Sequence, residues 1–214
     1  MLEFIDRMLV YKRYIKNEGF WNSLDMLFNK VFNLLFCFKK ASIFLLNFSK
    51  FKTTRLNLNY HNDVEIRLLT IENIESIISA MYFTEKDIIR KLSCGQKCFL
   101  IYKNRELSGY AWTTCQPENV SEIDYLFPAS KDCIYIYSVR ILRKFRGLEL
   151  SKVLLHELCS AIFSKSPDKV LSSVVMDNNT ASNRLFKNIG FKENKKIIYT
   201  KIIFLKRILI TKLS

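Results

Sequence analysis

The sequence predicts an α/β fold (an α+β mixed sheet) preceded by an N-terminal amphipathic helical extension. From residue 64 onward, short alternating apolar runs typical of strands are interleaved with segments of helical periodicity. Before residue 63, apolar residues recur mainly at helical spacing. At the centre of the chain, an alternating run that begins at Ile134 passes through a basic turn containing Gly147 into a helical pattern that continues to Ile162. These observations predict a mixed sheet with helices on its faces.

Length and composition support one domain with an arm. The 214 residues are 49% hydrophobic, enough to bury a sizeable core. Seventeen Phe and ten Tyr against five Gly and three Pro argue against disorder and against a turn-rich barrel or sandwich. We divide the chain into a basic aromatic helical extension (1–62), a main domain (63–205) and a basic C-terminal tail (206–214).

The charge and the rare metal-ligand residues limit the function classes. A formal charge of +14 predicts attraction to anions such as nucleic acid, acidic phospholipid or a polyphosphate ligand. No nucleic-acid-binding motif is present, so we expect no nucleic-acid partner. None of the six cysteines forms a C-x-x-C pair, and neither His61 nor His156 has a second ligand at metal spacing, so we expect no metal. Free thiols and the lack of an export signal predict a cytoplasmic protein.

The extension shows two helical patterns and a third apolar piece. Residues 2–15 predict a helix ended by Gly19, residues 22–40 predict a second helix, and residues 43–48 are a further apolar stretch. Residues 1–62 hold ten Lys+Arg and four Asp+Glu, hence +6. Two alternatives stay open: residues 1–50 lie on an anionic membrane at its inner face, or the helices pack on the following domain or on a second subunit of a homo-oligomer.

The remaining elements follow in order. The patterns predict a strand at 64–68, a helix at 70–81 capped by Thr70, a helix at 85–92, a hairpin from strands 98–103 and 107–114, a strand at 169–176, a helix at 179–188 and a final hairpin from 191–195 and 197–205. The loop between 116 and 131 is locally acidic, which is unusual in a basic chain. We expect either a substrate-facing or an ordinary solvated loop there.

The central strand–turn–helix stretch suits a phosphate group. A helix entered through such a turn presents unpaired backbone N–H groups and the positive end of its dipole. The turn itself carries Arg143, Lys144 and Arg146. The stretch therefore predicts a ligand with a nucleotide-like phosphate.

Two motifs resemble those of the GNAT superfamily, the Gcn5-related N-acetyltransferases. The run 141–151, ILRKFRGLELS, resembles the acyl-CoA pyrophosphate loop of that family, and the run 179–191, NTASNRLFKNIGF, resembles its Asn-containing helix and Gly-Phe turn. The resemblance covers about two thirds of the chain and leaves the extension aside. It implies a sheet that splays open beside its central strand, with acetyl-CoA or another acyl-CoA in the cleft as acyl donor.

The resemblance assigns the cofactor-binding residues. Backbone groups of Val139 and Ile141 would pair with the pantetheine arm, and Asn179 would hydrogen-bond that arm. Phe186 stands where many relatives carry a tyrosine that protonates the departing thiolate. The pyrophosphate would be cradled by backbone amides of one loop and helix start: Arg146, Gly147, Glu149, Leu150 and Ser151.

The sequence departs from the family pattern at three positions. Arg143 replaces a common proline, Glu149 stands where the family has its second glycine, and Phe186 has no proton to donate. The thiolate would then leave unassisted or take a proton from another group, for which Tyr137 and Tyr199 are candidates.

The implied activity is direct N-acyl transfer, most simply N-acetyl transfer, to a primary amine. The amine must lose a proton, and Asp177, at the end of a strand, is the first candidate base, followed by Tyr137, Glu122 and Asp124. The backbone N–H of Ile141 would polarise the thioester carbonyl. We expect a small-molecule amine acceptor, with an amino sugar of surface-glycan synthesis first and a protein amine or polyamine second. A non-catalytic acyl-CoA-binding or scaffold module is the rival interpretation.

Overall fold

A computed structural model describes residues 36–54, 63–202 and 205–212. Ten strands lie at β1 (Phe36–Asn47), β2 (Val64–Leu68), β3 (Lys97–Lys103), β4 (Glu106–Thr114), β5 (Glu118–Val120), β6 (Tyr125–Phe127), β7 (Cys133–Ile141), β8 (Val170–Met176), β9 (Lys192–Ile202) and β10 (Leu205–Lys212). Five helices lie at α1 (Phe48–Thr53), α2 (Ile74–Ile77), α3 (Glu85–Ser93), α4 (Leu150–Phe163) and α5 (Thr180–Ile189). Eight strands form one mixed sheet in the order β10-β9-β1-β8-β7-β4-β3-β2, and β5 and β6 form a separate hairpin. The predicted mixed sheet is confirmed.

The sheet is covered on both faces. Helices α4 and α5 pack on one face, where Leu154, Leu158 and Phe186 meet Phe44 of β1 and Ile136 of β7 in the largest core cluster. On the other face, α2 and α3 cover the β3–β4 end, and the β5–β6 hairpin covers β1, β8 and β9. Buried apolar area on both faces is the main source of stability for such a layered fold.

Strand β1 corrects the sequence prediction for residues 36–47. These residues were expected to continue a helix to Lys40 and then form a separate apolar piece, but they form one central strand. Seven residues of β1 pair with β8, and residues 36–45 pair with β9. Its apolar side chains bury on both faces, and such a run cannot be told from a buried helix by periodicity alone. The sequence patterns before residue 36 lie outside the described residues.

Polar side chains tie β1 to its neighbours. The buried Ser42 hydroxyl lies 2.9 Å from Asp177 Oδ1 and 2.6 Å from Glu193 Oε1. Lys196 Nζ donates to Ser42 Oγ at 2.8 Å and lies within 3.1 Å of both carboxylates. Burial disfavours the charge on Glu193, but hydrogen bonds from Lys196 and Ser42 outweigh it and lower the pKa of that carboxyl below its ordinary value. The cluster joins β1, β9 and the end of β8.

Three smaller predictions also change. The expected helix over 70–81 is a short helix α2 between two 3₁₀ turns, and Thr70 makes no side-chain capping bond. The two strands expected at 191–205 are one strand, β9. Its pairing register with β1 shifts at a bulge opposite Ile43 and Phe44. Residues 206–212 of the expected tail belong to the edge strand β10. Consequently, residues on both sides of each predicted domain boundary contribute strands to the same sheet.

Two residues of β1 test whether the strand belongs to the core. We expect Phe44→Ala to lower the free energy of unfolding by about 3–5 kcal/mol, because Phe44 is fully buried and stacks on Phe186. The control, Phe38→Ala, removes a ring that is 63% exposed on the same strand and should cost less than about 0.5 kcal/mol. Urea unfolding measures both. Equal losses for the two variants would contradict the position of β1.

Candidate active site

A cleft opens where β7 and β8 part. The two parallel strands pair only from Cys133 to Tyr135 with Val170 to Ser172, and beyond that point they diverge. The space between them measures about 540 Å³. It is lined by the second half of β7, the following turn, the end of β8, the first half of α5 and the β5–β6 hairpin: Asn119, Val120, Ser121, Glu122, Tyr135, Tyr137, Ser138, Val139, Arg140, Ile141, Arg146, Ser151, Ser173, Val174, Val175, Met176, Asn179, Ala181, Ser182, Leu185 and Phe186.

A β-bulge shapes the β7 wall of the cleft. Tyr137 pairs with Trp112 and Arg140 with Tyr110, so Ser138 and Val139 together oppose the single residue Ala111. Ser138 adopts a positive φ of 49°, an uncommon conformation for a residue with a side chain. The extra residue changes the alternation of the strand. Val139 and Ile141 therefore pack toward the α4 face, as Ile136 does before the bulge.

The bulge leaves backbone groups of β7 directed into the cleft. Leu142 N–H donates to Ser108 O of β4 at 2.8 Å. Because hydrogen-bonding directions alternate along a strand, the N–H and C=O of Ile141 point away from β4, toward the cleft. Arg146 Nε donates to Ile141 O at 3.3 Å, which agrees with that direction. The backbone groups of Ile141 therefore lie on the open edge of β7, and Val139 also lines the cleft.

The turn after β7 forms an anion-type cradle. A 3₁₀ turn at Arg143–Phe145 is anchored by the buried Phe145 ring. Gly147 follows with a φ of 85°, and a Cβ built on it would meet no atom within 4 Å. Helix α4 then begins without a side-chain capping bond, whereas Asn47, Thr84 and Asn179 cap α1, α3 and α5. An open glycine beside uncapped helix N–H groups suits a phosphate group.

The geometry explains the departure at Glu149. This residue has a φ of 56°, the left-handed conformation in which glycine is favoured. Its carboxylate forms an ion pair with Lys152 one turn along α4 and is half-exposed. The negative charge is therefore partly neutralised beside the cradle. Leu150, the next residue, is buried in the core, so only its backbone is available to a ligand.

Helix α5 forms the opposite wall. Asn179 Oδ1 accepts the Ser182 N–H at 3.1 Å, which leaves the amide nitrogen of Asn179 as the group that could donate to a ligand. Phe186 lines the cleft with one edge, but it is only 3% exposed. Its ring stacks on Phe44 at 6.1 Å and meets Phe191 edge-on at 5.0 Å. Phe186 packs the core between α5 and β1.

Tyr137 lies in the cleft within a buried polar network. Its hydroxyl accepts from Lys91 Nζ at 3.0 Å and donates to Gln96 Oε1. Both partners also contact Glu118, Lys91 at 3.3 Å and Gln96 at 2.7 Å. Burial raises the pKa of Tyr137 above its ordinary value. The phenol therefore stays protonated near neutral pH, which disfavours Tyr137 as a base.

The other two predicted catalytic side chains lie outside the cleft lining. Asp177 directs its carboxylate to Ser42 and Lys196, on the β1 side of β8. Tyr199 is buried between β9 and the β5–β6 hairpin, where burial raises its pKa. The partners of Asp177 are 135 and 19 residues away in the chain, so its local sequence gave no sign of them.

Glu122, which follows Asp177 and Tyr137 among the candidate bases, lies in the lining of the cleft. Within the described part of the chain, it is the one carboxylate among the residues that line the cleft. It stands in the turn between β5 and β6, and its backbone oxygen accepts from Lys39 Nζ at 2.8 Å. The unusual acidity of this loop was the feature of the sequence that pointed to Glu122. Its neighbour Asp124, also a candidate, pairs with Lys206 instead.

Neither a spanning helix nor a metal cluster was found in the described ranges. Among residues 36–54, 63–202 and 205–212, no helix is both long and apolar enough to cross a membrane. Over the same ranges, no three His, Cys, Asp or Glu side chains are grouped to hold a metal ion.

Comparison with known proteins identifies the architecture. The model of the acetyltransferase (GNAT) family matches residues 67–191, more than half of the chain. This range contains both motifs, the bulge and the cleft. No curated protein matches the chain by sequence.

Solved structures share the fold at low identity. A Drosophila protein is 16% identical with a TM-score of 0.55, over 86% of this chain and 57% of that chain. A GCN5-related N-acetyltransferase-like protein from Streptococcus suis is 13% identical with a TM-score of 0.54, over 86% of this chain and 68% of that one. A GCN5-related N-acetyltransferase from Sphaerobacter thermophilus is 12% identical with a TM-score of 0.54, over 85% and 56%. This chain thus spans between 56% and 68% of the length of these structures.

Two substitutions separate strain from charge at Glu149. Glu149→Gly and Glu149→Gln both remove the ion pair with Lys152, but only glycine relieves the left-handed conformation. We expect the glycine variant to be more stable than the glutamine variant by about 1 kcal/mol. Urea unfolding of the pair measures the difference. A glutamine variant as stable as the glycine variant would show that the backbone at Glu149 is not strained.

Proposed function

Because this chain belongs to the acetyltransferase (GNAT) family, we propose that it is an acyl-CoA-dependent N-acyltransferase, using acetyl-CoA in the simplest case. The observation that carries the proposal is the open edge of β7 running directly into the Gly147 cradle. This arrangement offers a strand-like binding edge for an extended arm and an anion site at its end. Acyl-CoA has both parts, a pantetheine arm and a pyrophosphate.

The chain's own groups supply the binding roles. The C=O of Ile141 and backbone groups of Val139 would pair with the pantetheine amides as an added strand. The first amides of α4 and the turn at Arg146 and Gly147 would hold the pyrophosphate. When bound, the acyl-CoA supplies an activated acyl group. The N–H of Ile141 would polarise its carbonyl, a role that needs no particular side chain.

Glu122 is the base that the cleft supports best. A protonated amine that enters beside Tyr135 and Tyr137 meets the Glu122 carboxylate at the mouth of the cleft. The carboxylate would attract the ammonium form and accept its proton, directly or through water, so that the nitrogen lone pair becomes free to attack. Asp177 already shares its charge with Lys196, which makes it a weaker acceptor of that proton.

Departure of the thiolate does not require a dedicated acid. Phe186 has no proton to give, and Tyr137 donates its proton to Gln96. A thiol with an ordinary pKa near 8.5 leaves readily as the thiolate at neutral pH. We therefore propose unassisted departure of the thiolate.

For the acceptor, we propose a small primary amine, first an amino sugar of surface-glycan synthesis. Asn119, Ser121 and Glu122 carry amide, hydroxyl and carboxylate groups, and they line the same cleft as the stacked rings of Tyr135 and Tyr137. Polar groups beside aromatic rings suit a hydroxylated amine. A protein amine or a polyamine is the alternative acceptor. Contact of residues 1–50 with an anionic membrane at its inner face, a homo-oligomer and a cytoplasmic location stay predictions.

One observation favours a non-catalytic rival. Phe186, at the position of the family's acid, is committed to core packing against Phe44 and Phe191. A chain that only binds acyl-CoA would tolerate such a replacement. Release of free CoA with a panel of amines separates the alternatives, since a binding module would be stabilised by acetyl-CoA but release none.

A pair of glycine variants tests the cradle. We expect Gly147→Asp to weaken acetyl-CoA binding by about 100-fold or more, because its carboxylate would face the pyrophosphate. Gly95→Asp is the matched control: Gly95 also has a positive φ, 76°, and open space at its Cβ, but it follows α3 away from the cleft. Both variants carry the same backbone strain. Calorimetric titration with acetyl-CoA measures the difference, and retained affinity in Gly147→Asp would refute the assigned cradle.

A carboxylate variant tests the base. We expect Glu122→Gln to lower kcat/KM for the amine by about 10²- to 10⁴-fold, with little change in the Kd for acetyl-CoA. Asp132→Asn, an exposed carboxylate at the start of β7, should leave both values unchanged. Initial rates of CoA release over a range of amine concentrations measure the effect. If Asp177→Asn caused the large loss and Glu122→Gln did not, Asp177 would be the base.

A further inference from the structure

The hairpin that carries Glu122 rests on strands outside the two sequence motifs. Strands β5 and β6 are three residues each and pair only with one another. Ile123 lies in the turn between them and is fully buried. It packs in one apolar cluster with Cys37, Ala41 and Ile43 of β1 and Ile197 of β9. A short hairpin of this size has little stability of its own. Its position therefore depends on the surface beneath it.

Two lysines of the large sheet contact this turn. Lys39 of β1 donates from Nζ to the backbone oxygen of Glu122 at 2.8 Å. Lys206 of β10 forms an ion pair with Asp124, two residues further along the same turn. The hydrogen bond with Asp124 raises the pKa of Lys206 above its ordinary value, so that lysine is cationic near neutral pH. The two contacts therefore fall on Glu122 and on Asp124 of the same turn.

We propose that Lys39 and Lys206 are positioning residues that hold Glu122 at the acceptor end of the cleft. The proposal rests on the role of Glu122 in the proposed function. It assigns strand β1, and the edge strand β10, a part in catalysis beyond their place in the sheet. Neither lysine is among the cleft-lining residues, so neither contacts the acceptor.

The contacts of Lys39 and Lys206 should affect the reaction rate rather than the stability of the fold. Exposed ion pairs and single surface hydrogen bonds contribute little to folding. A shift of about 1 Å in a reacting group, by contrast, can cost about 100-fold in rate. Loss of either lysine should therefore change turnover of the amine much more than the unfolding transition.

The test is a double-substitution cycle in the full chain. We expect Lys39→Met to lower kcat for the amine by about tenfold with an unchanged Kd for acetyl-CoA, and Lys206→Met to lower it less, because Lys206 contacts Asp124 rather than Glu122. Lys39→Arg keeps a donor at the same position and should restore most of the activity. Lys40→Met, on the neighbouring residue of β1, is the control and should change nothing. In the Glu122→Gln background, Lys39→Met should have no further effect, because it acts through Glu122.

A second measurement does not depend on activity. Amide hydrogen exchange over residues 121–124 should become faster in Lys39→Met and stay unchanged in Lys40→Met. Equal losses of kcat from Lys39→Met in the native and Glu122→Gln backgrounds would overturn the proposal, as would unchanged exchange at the turn. Those results leave acetyl-CoA binding and the Gly147 comparison untouched, so failure of the positioning role is distinct from failure of the proposed function.

Discussion

The separation of β7 and β8 is the constraint on which the rest of the structure depends. Two parallel strands that pair for three residues and then diverge leave the backbone groups that face the gap without a partner strand. Buried groups of this kind are costly unless they find partners. On β7, the strand beyond the bulge at Ser138 lines the cleft. On β8, the opposite edge of the strand keeps a neighbour.

Strand β1 is that neighbour. It pairs with β8 over Val170–Met176, well beyond the point at which β8 leaves β7. Phe44 and Leu46 of the same strand fill the core under α5, and Ser42 binds Asp177 at the end of β8. Without β1, the divergent half of β8 would lack a hydrogen-bonded neighbour within the described sheet. The open cleft and the inserted strand are therefore two parts of one arrangement.

The sequence predicted what is local and missed what is brought together by distant strands. The Gly147 turn, the helix after it and the helix that follows Asn179 are each encoded within a few neighbouring residues, so pattern and resemblance located them. Strand β1 is buried on both faces, and its continuous apolar run resembles a buried helix. The contacts of the Asp177 carboxylate could not be predicted for the same reason, because Ser42 and Lys196 come from strands far from it in the chain.

Glu149 shows how a departure from a motif can be read once the backbone is known. In the sequence, a carboxylate in an anion loop weakens the resemblance. In the structure, its left-handed φ shows why the family has glycine there, and its pairing with Lys152 shows how the charge is offset. A glycine motif therefore records a conformation, and at Glu149 a residue other than glycine adopts it.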